Sequence, residues 1–348
     1  MDALSELLHA IRLCGTAYID AELPATWAVE TPAPAEIAER VAPGGSRIIP
    51  YHMIVEGSCV VQVAGHDPIT LEAGEVVVIP HGDVQTLSSK IGLPPHRFTI
   101  DVIDQIIHRN AVSKMTLGGD GFQTRLVCGF FACDKTLSDH LIQPLPRMFK
   151  FRVHNNSAAA FLPHAINQSG NMADGITNPG SQAVLCKLSE LLFVDAVRSY
   201  AESLTDQGAS LLAGLKDRYV SHALALMHHQ PGSDWTLDTL ARHLGTSRTT
   251  LADHFVQHMG KTPMQYLSEW RLRLAADALA SSDRAIKSIA ANAGFNSTTA
   301  FSRAFKRELG VSPGEWRHSN RADHQEIRPE ASHAVVFTES TRSGPVVP

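Results

Sequence analysis

Two stretches of this chain set hydroxyl and charged side chains at helical spacing around apolar anchors. In the later one, Thr299 and Arg303 fall opposite Phe301 and Phe305, with Lys306 and Arg307 further along. In the earlier one, Thr249 and Asp253 fall opposite Leu251 and Phe255, with Val256 further along and Arg248 near the helix start. Such a face suits base edges and phosphates in a DNA major groove, although a merely solvated face would carry the same residues. A second set of reactive types, His52, His81 and Gln85, lies in a strand-rich region. His52 and His81 read first as histidines satisfied inside a small barrel, and a metal site that adds His140 or His164 is an open alternative that the spacing does not support, so no metal and no cofactor is assigned. The five cysteines contain no CxxC pair, and Cys128 and Cys133, in or beside one apolar strand, read as buried structural thiols rather than redox sensors. No GxSxG, P-loop, GxGxxG or HExxH occurs, so no catalytic residue is assigned and the chain is not read as an enzyme.

The elements that must position the first set form an internal repeat. Leu240, Ala241 and Gly245 match Ile289, Ala290 and Gly294 at an offset of 49, while Ser247, Leu251, Phe255, Gly260 and Pro263 match Ser297, Phe301, Phe305, Gly310 and Pro313 at 50. One extra residue therefore sits in the second turn. Each copy has the parts of a helix-turn-helix: a small residue where two helices cross, a glycine ending the first helix, and a serine capping the second. A plain α-hairpin would need neither the matched caps nor the matched Gly-x-x-Pro endings.

Composition agrees with a division of labour. Of 348 residues, 1–216 hold 15 Lys/Arg against 22 Asp/Glu, 217–318 hold 12 against 9, and 319–348 hold 3 against 4, for a total of −5. Only the middle block is suited to a polyanion. The length suggests two domains. No apolar run of about 18 residues occurs, and the N-terminus lacks a signal peptide's cationic start, so a cytoplasmic protein with reduced thiols is expected. Residues 1–40 read as a short amphipathic helix (Leu4, Leu7, Leu8, Ile11) followed by a Pro-rich stretch, and 47–131 as several short strands. Residues 155–182 read as a loop, 182–204 as a helix with a wide apolar stripe, and 319–348 as a disordered tail. That stripe predicts a homodimer interface, with packing against the chain's own strands as the competing use.

Residues 217–318 resemble the DNA-binding domain of the AraC/XylS family of transcription regulators, most closely over GFNSTTAFSRAFKRELGVSPGEWR, Gly294 to Arg317. The resemblance implies seven helices, with Pro263 to Ser281 joining the two motifs, and recognition helices entering major-groove segments about 34 Å apart. It implies base contacts from Thr249, Ala252 and Asp253 and from Thr298, Thr299, Ser302 and Arg303, with Arg248, Lys306 and Arg307 also on the DNA-binding face. Asp253 departs from the family pattern, which often has a basic or amide residue there. Upstream, Gly74-x5-Pro80-His81-Gly82-Asp83-Val84-Gln85 resembles a cupin second motif with Gln in place of its final His. This implies a cupin-like sensory domain; an effector, where one binds, is expected in the interior of residues 47–131, with His52, Gln85 and Arg97 available for its polar contacts.

The expected fold class is thus α+β, a cupin-like β-barrel (1–180) and a helical linker (181–216) before an all-α domain with two helix-turn-helix motifs (217–318). The expected partners are operator or promoter DNA, a small-molecule effector, a second copy of the chain and RNA polymerase, with no membrane. The competing function is a metal-dependent cupin enzyme with an accessory helical domain, which the Gln at position 85 disfavours.

Overall fold

A computed structural model describes residues 2–325 of the protein, apart from 12, 25, 34–35, 39–46, 99–111, 117–122, 155–156, 171–179 and 205–210. Among the described residues, helix α1 (Ala3–Ala10) precedes eleven strands: β1 (Cys14–Pro24), β2 (Ala28–Glu30), β3 (Arg47–Glu56), β4 (Ser58–Val63), β5 (Ile69–Glu72), β6 (Glu75–Val78), β7 (Gln85–Ser88), β8 (His96–Arg97), β9 (Val112–Thr116), β10 (Gln123–Cys133) and β11 (Phe149–Arg152). Helix α2 (Lys135–Ile142) lies before β11. The strands form a six-stranded sheet, β11-β6-β3-β10-β1-β9, and a five-stranded sheet, β5-β4-β7-β2-β8. Ile19, Ala21 and Leu23 of β1, Ile54 of β3 and Leu126 of β10 meet Val61, Leu71 and Leu87 of the second sheet in one buried cluster.

The larger sheet is buried on both faces. Tyr18, Ile49, Tyr51, Met53, Val127 and Phe131 turn the other way and pack under helices. Chief among these is α4 (Ser181–Ser203), which buries Leu185, Leu192, Phe193, Ala196 and Val197 against that face. The buried Tyr18 and Tyr51 hydroxyls both reach Ser189 Oγ, at 3.1 and 3.4 Å. The wide stripe of this helix is therefore used by the chain's own sheet. Val184 and Leu191 remain exposed on the outer side.

Several sequence expectations need correction. Residues 14–24, placed in a Pro-rich stretch, form β1, which pairs with both β10 and β9. Within 155–182, read as a loop, Ala158–Phe161 is a 3-10 turn and Leu162–Gly170 is helix α3, burying Leu162 and Ile166; 171–179 lie outside the described residues. Cys186 is disulfide-bonded, against the expectation of reduced thiols, while Cys59, Cys128 and Cys133 are free.

The rest is helical: α5 (Leu211–Lys216), α6 (Arg218–His229), α7 (Leu237–His243), α8 (Arg248–Met259), α9 (Pro263–Ser281), α10 (Ile286–Asn292), α11 (Thr298–Leu309) and α12 (Pro313–Gln325). Helix α12 extends through 319–325, which were assigned to the tail; 326–348 lie outside the described residues. The apolar core of the larger sheet continues into this part through Val220, Leu224, Leu240, Phe255 and Trp270. Helix α1 packs on α6 and α2 on α9, where Arg273 donates to the Thr136 carbonyl at 2.9 Å and lies 3.5 Å from Asp139. No described helix is long and apolar enough to cross a membrane.

Candidate nucleic-acid interface and effector cavity

The two helix-turn-helix units are built by matching backbone chemistry. In the first turn the Thr246 N–H donates to the Ala241 carbonyl at 3.0 Å and the Gly245 N–H to that of Arg242 at 3.3 Å. In the second, Phe295 donates to Ala290 at 3.0 Å and Gly294 to Ala291 at 2.9 Å. This is the paired closure of a helix end around a left-handed residue, and Gly245 (φ +63°) and Gly294 (φ +75°) supply it. Ser247 Oγ then accepts from Thr250 N at 3.0 Å, and Ser297 Oγ from Ala300 N at 3.4 Å, starting α8 and α11. Phe295, which takes the place of Thr246 in the second turn, turns its ring edge-on to Phe301 at 5.4 Å.

The repeated Gly-x-x-Pro has the same economy. Gly260 and Gly310 end α8 and α11 in the left-handed conformation. Thr262 and Ser312 then cap the next helices, exchanging bonds with Gln265 and Glu315, and Pro263 and Pro313 occupy the first turn, where no N–H is needed.

Leu251, Phe255, Phe301 and Phe305 are fully buried. That fixes what α8 and α11 show to solvent. Arg248, Thr249 and Asp253 are exposed on α8, with Ala252 half-buried between them. Thr298, Thr299, Arg303, Lys306 and Arg307 are exposed on α11, with Ser302 half-buried. Among the described residues no ion pair engages Arg248, Asp253, Arg303 or Arg307, so these groups are available to an external partner. Lys306 and Arg307 lie in the last turn of α11, where the helix dipole favours cations.

The second candidate site lies between the sheets. Strand register sets His52 directly opposite Cys128, so both share one face. Gln85, from the other sheet, closes a buried chain: its Nε2 lies 3.1 Å from His52 Nε2, and His52 Nδ1 lies 2.8 Å from Cys128 Sγ. Burial pushes His52 down to about 3, so the ring is neutral; with Gln85 donating, Nδ1–H faces the sulfur. Burial also pushes the Cys128 thiol well above its usual range, which makes it an inert acceptor rather than a reactive thiolate. Gln85 Oε1 is buried without a partner. These groups border a cavity of about 40 Å³, otherwise walled by Ile19, Ala21, Val29, Leu87 and Phe98 among others.

Arg97, expected in this interior, is elsewhere. Its side chain is 78% exposed and donates to Glu30 Oε1 at 2.7 Å. Successive strand residues face opposite ways, and Phe98 takes the inward place. His81 is also outside the cavity and lies 2.8 Å from the Leu145 carbonyl through Nε2. The β1 and β2 side chains that line the cavity escaped the sequence reading because those strands did. Among the described residues, no three metal-capable side chains converge between the sheets.

Comparison with known proteins agrees with both halves. The cupin family matches residues 2–202 and the helix-turn-helix domain family residues 240–319. A putative AraC-like transcription regulator of Streptomyces lividans is 29% identical over 325 residues, covering 91% of this chain and 98% of that protein. The transcriptional regulator AlkR of Acinetobacter baylyi is 27% identical over 342 residues, covering 92% and 100%. The RCS-specific transcriptional activator RclR of Escherichia coli is 25% identical over 324 residues, covering 92% and 99%.

Proposed function

From the premise that this chain belongs to the AraC family of transcription regulators, with a cupin domain as its N-terminal half, we propose that it reads an operator with both recognition helices under control of a small molecule. Thr249, Ala252, Asp253, Thr298, Thr299, Ser302 and Arg303 take the base edges, and Arg248, Lys306 and Arg307 the phosphates. The observation that carries this reading is that α8 and α11, anchored alike, turn these groups outward, all of them exposed except the half-buried Ala252 and Ser302. Selection of bound duplexes from a random pool, followed by footprinting, tests it. The expected result is two protected major-groove segments about one helical turn apart. Protection of one segment, or no enriched sequence, overturns it.

The effector's place in this proposal is the cavity beside His52 and Gln85. At about 40 Å³ it has room for a water but not for a ligand, whose pockets run to about 300 Å³ or more. An occupant must therefore displace lining side chains such as Phe98 and Ile37. The lining selects a small, mainly apolar molecule with one donor group to satisfy Gln85 Oε1. Docking of α1 on α6 and of α2 on α9 gives such a displacement a route to the DNA-binding helices. A metabolite that changes reporter output should raise the thermal midpoint of the full chain, and Gln85→Leu should abolish that rise. A full rise in Gln85→Leu places the effector elsewhere.

A second copy of the chain would pair through the outer side of α4, where Val184 and Leu191 lie seven residues apart on one face. The protein would act in the cytoplasm, with RNA polymerase as its further partner at the promoter. The enzyme alternative has no support in the geometry, since the group that the cupin motif places at position 85 is an amide bonded to His52.

A further inference from the structure

A cluster on the back of the first recognition helix has no part in the function proposed above. His254 and His258 stand four residues apart on α8, so their rings project from one side of the helix, away from Thr249 and Asp253. Both turn a ring nitrogen toward the same carboxylate oxygen of Asp217, the residue that caps α6. His254 Nδ1 is 2.7 Å from Asp217 Oδ2, and His258 Nε2 is 3.6 Å from it. All three donor atoms lie within 4.8 Å of one another.

The carboxylate divides its work. Asp217 Oδ1 accepts the Tyr219 and Val220 N–H groups, each at 2.9 Å, which fixes the side chain and leaves Oδ2 aimed at the imidazoles. Hydrogen bonding accounts for one imidazole only, because 3.6 Å is too long for the second. A pair of histidines at i and i+4 with a carboxylate from another element is the donor set of a borderline transition metal. Tetrahedral bonds of about 2.0–2.2 Å set ligand atoms about 3.4 Å apart, so the His258–Asp217 pair is already near that spacing and the His254–Asp217 pair must open by about 0.7 Å, which side-chain rotation can supply. The side chains are 37%, 27% and 12% exposed for His254, His258 and Asp217. An ion can therefore enter from solvent and keep a water as its fourth ligand.

We propose that Asp217, His254 and His258 form a site for a zinc-like divalent cation that fastens the first recognition helix to the start of α6. The ion replaces the hydrogen bond between His254 and Asp217 and links two elements 37 residues apart in sequence. It adds no charge to the DNA-reading face.

The test uses metal-stripped full-length protein. Zn²⁺ titration calorimetry and the visible absorption of Co²⁺ should show one saturable site with a dissociation constant of about 10 μM or tighter, and Zn²⁺ should raise the thermal midpoint. His258→Asn should weaken Zn²⁺ binding at least tenfold and remove the rise, while keeping the metal-free midpoint. If that variant fails to fold, His254→Gln, which retains a partner for Asp217, takes its place with the same expected loss. No saturable uptake below about 100 μM, or wild-type affinity in the folded variant, overturns the proposal.

Discussion

The guanidinium of Arg271 lies directly beneath Gly294, so close that a Cβ on the glycine would stand 2.9 Å from Arg271 Cζ. Arg271 sits on the long helix α9 and is itself held, donating through Nε to the Pro231 carbonyl and through Nη2 to that of Ser233, both at 2.6 Å. One side chain therefore ties the segment leading into the first helix-turn-helix to the turn of the second. The two recognition helices are indexed to each other through α9, and Gly294 is where that linkage has no spare room.

The equivalent glycine of the first unit, Gly245, shares the left-handed backbone but has open space where a Cβ would go. Gly245→Ala should cost only the backbone strain, about 1–2 kcal/mol. Gly294→Ala adds a contact with a guanidinium that two carbonyls hold in place, and should cost about 1–2 kcal/mol more. Urea unfolding of the two variants, compared at equal m-value, checks the difference. Equal losses would mean that Arg271 moves aside freely.

Two buried histidines predict an acid-sensitive fold. Burial pushes His52 down to about 3 and His228 to about 4. A histidine whose folded value is depressed is neutral in the native state, while the unfolded chain takes up its proton near pH 6.5. Both contributions are complete above that pH and shrink as the pH falls toward the folded values. Between pH 7 and pH 5 each histidine should withdraw about 2 kcal/mol of stability, on the order of one pKa unit per 1.4 kcal/mol. Unfolding free energies measured across this range should slope upward with pH, and His228→Gln should flatten the slope by about half.

Asp20 is only 4% exposed, in the centre of β1, and Arg125 on β10 receives it with two bonds, from Nε at 3.0 Å and Nη2 at 2.9 Å. Removing one partner leaves a buried charge unanswered. Arg125→Met should therefore destabilise by about 3–5 kcal/mol, whereas the double change Asp20→Leu, Arg125→Met should recover most of that loss. Chemical denaturation of the two variants decides it; a double variant no better than the single would mean that packing, not charge, dominates there.

The same pair shows where the sequence stopped being legible. The C-terminal units could be read because their information is local: Gly245, Ser247, Leu251 and Phe255 define one motif within a dozen residues, and the copy at Gly294 to Phe305 repeats it. Strand β1 was missed because its run CGTAYIDAELP carries an acid at a buried position, tolerable only through an arginine 105 residues away. His52 and Gln85 do line the space between the sheets, as an interior built from residues 47–131 implied, but Arg97 does not, since its direction depends on which neighbour claims the inward place. The Asp217 cluster was invisible for the reason β1 was: His254 and His258 form a local pair, but their carboxylate belongs to another helix.

Which charge on α11 reads sequence can be decided by two substitutions. Arg303 is two residues past the buried Phe301, exposed, and a full turn beyond Thr299, so it occupies the middle of the outward face. A guanidinium there can donate twice to guanine O6 and N7, which is worth about 1–3 kcal/mol of discrimination. Lys306 and Arg307 lie in the last turn, where the helix leaves the groove and phosphate is nearer. Arg303→Ala should thus weaken operator binding about 5- to 150-fold and leave random-DNA binding nearly unchanged. Lys306→Ala should weaken both alike and make the salt dependence shallower by about one counterion. If both residues merely face solvent, the losses will be small and equal. Affinities for the selected operator and for random duplex across a salt series separate these outcomes, and equal losses on the two DNAs for Arg303→Ala would move the base-reading role to Thr299 and Ser302.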